Sequence, residues 1–205
     1  PAPVFVPDTY DESDRDYPLI LLLHGYAADG VRQDAYLGVS QRASEFEFIM
    51  VRPEGSLDAL GNQFWSATPA CCGDREVDDV AYLTALIEET KSMYRVDEDR
   101  IYIIGHSNGG FMSYRLACEV GDQLAGIVTI AGMTFQEADD CTSPSKISIM
   151  HLHAIDDLTV PFNGKPGARG YPSAQDGLAR WAQRNECDDA VQVREPVEML
   201  SNIDG

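Results

Sequence analysis

The sequence predicts an α/β domain with a mostly parallel central sheet flanked by helices. Three observations carry that expectation. The run Leu19-Ile20-Leu21-Leu22-Leu23 is apolar without interruption, as a strand buried on both faces must be. Strand-like and helix-like segments alternate along the sequence from there on. A glycine-rich turn, Gly105-His106-Ser107-Asn108-Gly109-Gly110, then joins one strand-like run to one helix-like run.

The elements follow in order. Val4-Phe5-Val6-Pro7 reads as the end of a strand, and Asp8 to Asp16 as a polar turn. His24-Gly25-Tyr26 closes the apolar strand. A helix is expected over 33–44, and Phe46 to Val51 reads as the next parallel strand, stopped by Pro53. Residues 54–75 look irregular. Asp78 and Asp79 suit a helix N-terminus, and Val80, Leu83 and Ile87 give the helix to about Tyr94 an apolar stripe. Ile101–Ile104, Ile127–Ala131 and Ile147–His153 read as strands. Residues 174–185 read as a helix with Leu178 and Trp181 facing inward, and Val191–Arg194 as a final strand. With 205 residues there is enough length for one domain with a sizeable core, so 1–205 is read as a single domain.

The protein has 34 acidic against 15 basic residues, a net charge of -19. A polyanionic partner would be repelled, so nucleic acid is not expected. No run is long enough to cross a membrane, and no membrane partner is expected. Such a surface stays hydrated at high salt. It fits either a saline habitat or a moderately acidic secreted protein. None of the five cysteines has C-x-x-C spacing, which disfavours a zinc ribbon or a thioredoxin-type site. Disulfides are expected instead, with adjacent Cys71 and Cys72 pointing apart to reach two partners.

The turn at 105–110 has the pattern G-x-S-x-G between a strand and a helix, which presents Ser107 as a nucleophile at the carboxyl end of the sheet. A serine hydroxyl needs a base, an acid to orient that base, and two donors for the developing oxyanion. The Asn108 amide, directly after the nucleophile, is the first expected donor. The Tyr26 amide, in the loop after the apolar strand, is the second. His24 is expected to be a structural hydrogen-bonding residue, and His106 to be non-catalytic. The acid should follow a later strand, and Asp156 or Asp157 in the segment His153 to Pro161 fits. His151 and His153 share a strand face. A metal pair is disfavoured there because no third ligand is near, and no metal or other cofactor is expected.

Leu22-Leu23-His24-Gly25, Trp65 followed by Cys71-Cys72, Asp78-Asp79-Val80, the Gly105–Gly110 turn and His153 to Pro161 occur in that order. Together they resemble the secreted esterases grouped with polyhydroxybutyrate depolymerases and feruloyl esterases, in the α/β-hydrolase fold. The resemblance implies a secreted serine carboxylic-ester hydrolase acting on a small-molecule or polymer-linked ester. It places the acid at Asp157 and suggests Trp65 as a substrate-cleft residue, an alternative to a buried core tryptophan. The sequence departs from the family pattern at Ala154, Ile155 and Asp156.

The family's catalytic histidine lies downstream of the acid. Here His24, His106, His151 and His153 all precede Asp157. Three readings compete: a sequence that is incomplete at its C-terminus, a non-catalytic binding module using the cleft beside Trp65, or an unorthodox base among the four. The first is favoured. A peptidase on the same fold is a further alternative.

Overall fold

The computed structural model describes residues 2–72, 77–143 and 145–188. Its centre is a six-stranded sheet. The strands are β1 (Val4–Phe5), β2 (Tyr17–Leu23), β3 (Ile49–Val51), β6 (Val96–His106), β7 (Gly126–Ile130) and β8 (Ser148–Leu152), with a small hairpin of β4 (Ser56–Leu57) and β5 (Gln63–Phe64) outside it. The sheet order is β1-β3-β2-β6-β7-β8. Within this sheet only the β1–β3 pairing is antiparallel; β3, β2, β6, β7 and β8 run parallel. The helices are α1 (Gly30–Leu37), α2 (Ala43–Phe46), α3 (Asp79–Met93), α4 (Asn108–Val120) and α5 (Ala174–Arg184).

Burial on both faces explains the apolar run in β2. Leu19, Leu21 and Leu23 pack into the larger core with Leu83 and Ile87 of α3, Phe111, Met112 and Leu116 of α4, and Trp181 of α5. Leu22 turns the other way, into a smaller core with Ala43, Phe48 and Met50, against which Leu37 of α1 packs. Alternation along one strand thus serves two layers of helix.

Several boundaries differ from expectation. The helix anticipated over 33–44 ends early, because Gly38 takes a left-handed conformation (φ 67°) and its N–H caps Asp34. The short α2 is closed in the same way by Glu47 at φ 55°. The strand before the serine is longer than its apolar stretch, since Val96–Arg100 continue it with mostly exposed polar residues. Leu178 of α5 is partly exposed while Trp181 is buried, so only the tryptophan faces inward. Cys71 and Cys72 do not reach two partners: Cys72 adopts φ 63°, which turns the backbone back, and the two sulfurs bond to each other. Cys118 pairs with Cys141, tying the end of α4 to the loop after β7. The strand expected at Val191–Arg194 lies outside the described residues.

Candidate active site

Three loops meet at the carboxyl ends of the parallel strands. His24–Tyr26 follows β2, Ser107 follows β6, and the segment to Asp157 follows β8. Parallel sheets gather such loops on one edge, which is why ligands bind there.

Ser107 stands between β6 and α4 with φ 52° and ψ -118°. A side chain is rarely held in that region, and it costs on the order of 1–3 kcal/mol. The surroundings over-determine it. The Ser107 N–H donates to the Ile130 carbonyl at 2.7 Å, and its own carbonyl accepts from the Phe111 amide at 3.0 Å as the first turn of α4 forms. The turn is tight enough that a Cβ on Gly105 would strike the Gly109 carbonyl. One on Gly109 would strike the Leu23 carbonyl. Glycine at both positions lets α4 start directly against β2 and β6.

The two expected oxyanion donors are set by different devices. Asn108 is fully buried and uses its side chain on the core: Oδ1 accepts from the Trp65 amide at 2.7 Å and Nδ2 donates to the Trp65 carbonyl at 2.9 Å. That fixes the first turn of α4, whose positive end faces the loop edge. On the β2 side, the Gly25 amide donates to Gln33 Oε1 at 3.2 Å. The Tyr26 hydroxyl donates to Asp58 Oδ2 at 2.5 Å, and the Ala27 amide donates to the Gln63 carbonyl at 2.9 Å. The β4–β5 hairpin therefore clamps this loop from outside. Among the described residues no group accepts from the Tyr26 or Asn108 N–H.

Trp65 does not line a cleft. Its exposure is 0%, its Nε1 donates to the His24 carbonyl at 3.0 Å, and its ring packs 4.9 Å from the His24 ring. It is a core residue that supports the His24–Tyr26 loop from beneath. The structural role expected of His24 fits its contacts: Nδ1 donates to the Gly25 carbonyl at 2.8 Å and Nε2 accepts from the Gly55 amide at 2.9 Å. Burial holds its pKa below the ordinary range, so the ring is neutral.

Asp157 and Asp156 differ in their settings. Asp156 is exposed. Asp157 Oδ1 accepts from the Thr159 and Val160 amides at 2.8 and 2.9 Å. Those bonds, the Val160 amide first, hold its pKa below the usual carboxylate value. Its other oxygen lies 3.7 Å from His153 Nε2. The His151 and His153 rings hydrogen-bond each other at 3.1 Å rather than splaying toward a shared metal. His106 places Nδ1 3.2 Å from Gln33 Oε1. Sequence reasoning missed Gln33 and the Asp58–Asn62 turn, which bear on the site only through the fold; no local motif marks them.

The sequence profile described as phospholipase/carboxylesterase matches residues 7–171. Feruloyl esterase B of Piromyces equi is 27% identical over 204 residues, covering 94% of this chain and 37% of that protein. Feruloyl esterase C of Emericella nidulans is 29% identical over 165 residues, covering 78% of this chain and 55% of that one. The chain spans about half the length of the curated relatives it matches. In the structure of the Bacillus cereus carboxylesterase the fold recurs with a TM-score of 0.68 at 16% identity, covering 90% of this chain and 80% of that one.

Proposed function

We propose that this protein, which belongs to the phospholipase/carboxylesterase family, is a serine carboxylic-ester hydrolase acting through an acyl-enzyme on Ser107. The observation that carries the reading is the strained serine at φ 52°, held up between β6 and α4. Ser107 Oγ attacks the ester carbonyl as a base removes its proton. The resulting oxyanion lies between the Tyr26 and Asn108 amides, and loss of one such donor typically costs about 10²–10³ in rate. The base then protonates the leaving alcohol, and water releases the acid from Ser107. Asp157 orients the base and stabilises its cation.

The motif resemblance supports, as the base, a histidine downstream of Asp157. His24, His151 and His153 are engaged through both ring nitrogens and His106 through Nδ1. The feruloyl esterase relatives favour hydroxycinnamoyl esters linked to polysaccharide as the substrate class. Polyhydroxyalkanoate is a second candidate from the motif resemblance alone. Secretion fits the same relationship, and among the described residues no helix is long and apolar enough to cross a membrane. The binding-module alternative loses its expected contact surface, because Trp65 is buried.

The test is intact mass of the natural full-length protein before and after a fluorophosphonate probe, with Ser107→Ala beside it. One adduct at Ser107 and loss of aryl-ester turnover in the variant are expected. Unlabelled wild type, or a variant that still turns over, would sink the assignment.

A further inference from the structure

Beneath the acid loop lies a continuous hydrogen-bond relay that the catalytic reading does not use. It starts at Tyr114 of α4, which is fully buried, two helical turns after Ser107. The Tyr114 hydroxyl lies 3.0 Å from His151 Nδ1. His151 Nε2 lies 3.1 Å from His153 Nδ1. His153 Nε2 lies 2.6 Å from the Val160 carbonyl, and its side chain is 1% exposed.

The proton positions follow from the last link. A carbonyl only accepts, so His153 Nε2 carries the hydrogen. Provided the His153 ring is singly protonated, Nδ1 then accepts, so His151 Nε2 must donate. His151 Nδ1 is left as an acceptor, and the Tyr114 hydroxyl must donate to it. One end thus dictates every tautomer, and all the donors point from α4 toward the acid loop. Burial supports this state, since it pushes the His151 pKa down to about 4 and keeps that ring neutral. The two rings stack, with centroids 5.2 Å apart, and Phe162 packs edge-on to His153.

Val160 receives the relay and passes it on. Its carbonyl is held by His153 Nε2, and its N–H donates to Asp157 Oδ1. The peptide units on either side of one residue therefore link the buried histidine to the carboxylate. At the other end, α4 begins at the nucleophile.

We propose that Tyr114, His151 and His153 form a positioning strut that ties the helix carrying Ser107 to the loop carrying Asp157 and so sets the spacing between nucleophile and acid. The strut rests on the reading of Ser107 and Asp157 as a catalytic pair. None of its three members touches substrate. Its effect is to hold the loop that carries Asp157 in place while Oδ1 stays on the Thr159 and Val160 amides.

Two measurements on the natural full-length protein test it. Proton–nitrogen correlation spectra of the imidazoles in the wild type report the tautomers with no reaction involved. Both His151 and His153 are expected to carry hydrogen on Nε2 and none on Nδ1; a hydrogen on His153 Nδ1 would overturn the strut. Aryl-ester kinetics then compare His153→Leu with His153→Gln. Leucine removes both ends of the link. Glutamine can still donate to the Val160 carbonyl and accept from His151. The leucine variant should lose about tenfold to a hundredfold in kcat with KM little changed. The glutamine variant should recover most of that loss. Equal kcat in wild type and His153→Leu would overturn the strut. Should the leucine variant fail to fold, Tyr114→Phe takes its place: it cuts the strut from α4 while the Val160 carbonyl still fixes both tautomers, so kcat should fall with the imidazole tautomers kept. Unchanged kcat in that variant would overturn the proposal. A fluorophosphonate probe on the wild type separates the two ideas. A silent probe with the expected spectrum would overturn the esterase reading, and with it the strut's catalytic role, while leaving the hydrogen-bonded link between α4 and the Asp157 loop in place. A labelled Ser107 with the wrong tautomer would overturn the strut and leave the esterase standing.

Discussion

At Ser107 the backbone stores energy that the rest of the site must hold. A serine at φ 52° and ψ -118° is disfavoured by its Cβ, and glycine is not. Ser107→Gly should therefore abolish turnover and raise stability by about 1 kcal/mol, read as a higher midpoint in urea. An unchanged or lower midpoint would mean the turn is relaxed. The serine and its glycines were legible because the constraint is local: a short pattern specifies a turn so tight that the neighbouring carbonyls exclude a side chain. Trp65 was not legible. An indole at that position suits a cleft wall or a core equally well in sequence. The choice is made by Asn108, 43 residues away, whose side chain takes both backbone groups of Trp65.

Among the elements, β7 and β8 were read to within a residue at each end, whereas β3 starts three residues later and β6 five residues earlier than expected, because polar residues extend or trim a strand without changing its apolar centre. The helix over 33–44 was misjudged because its end depends on Gly38 taking a left-handed turn, which apolar spacing does not report. The hairpin of β4 and β5 was missed altogether, since two-residue strands carry no periodicity. Strand β8 has a titration consequence of its own. The unfolded protein binds a proton at His151 below about pH 6.5, whereas burial first, and the neighbouring His153 second, keep the folded His151 ring neutral down to about 4. The folded pKa is depressed, so acid favours the unfolded state through that window, by up to about 1.4 kcal/mol per pH unit from this one ring. His151→Gln cannot titrate. It should lose less stability than wild type between pH 6.5 and 4, measured by chemical denaturation at each pH. Parallel curves for the two proteins would refute the buried neutral histidine.

For the whole molecule, a net charge of -19 on one domain means mutual repulsion in the folded state. Added salt shortens its range from about 30 Å at 0.01 M to about 3 Å at 1 M. Thermal stability should rise with sodium chloride over that interval. Loss of the fold at the low end would favour a saline habitat, and a falling melting temperature would show that ion pairs outweigh the repulsion. The junction of Asn108, Trp65 and His24 bears on how such a protein could be altered. The residue after Ser107, a core indole and the base of the His24–Tyr26 loop are one mechanical unit, so none can be exchanged without disturbing the others. The exposed apolar side chains around the same edge are not so bound: Tyr36 against His106, Leu57 and Leu60 on the hairpin, Ile155 and Leu158 beside Asp157. On the proposed esterase reading, rate and preference belong to different parts of the molecule, a rigid frame that must be inherited whole and a rim that can be rewritten one residue at a time.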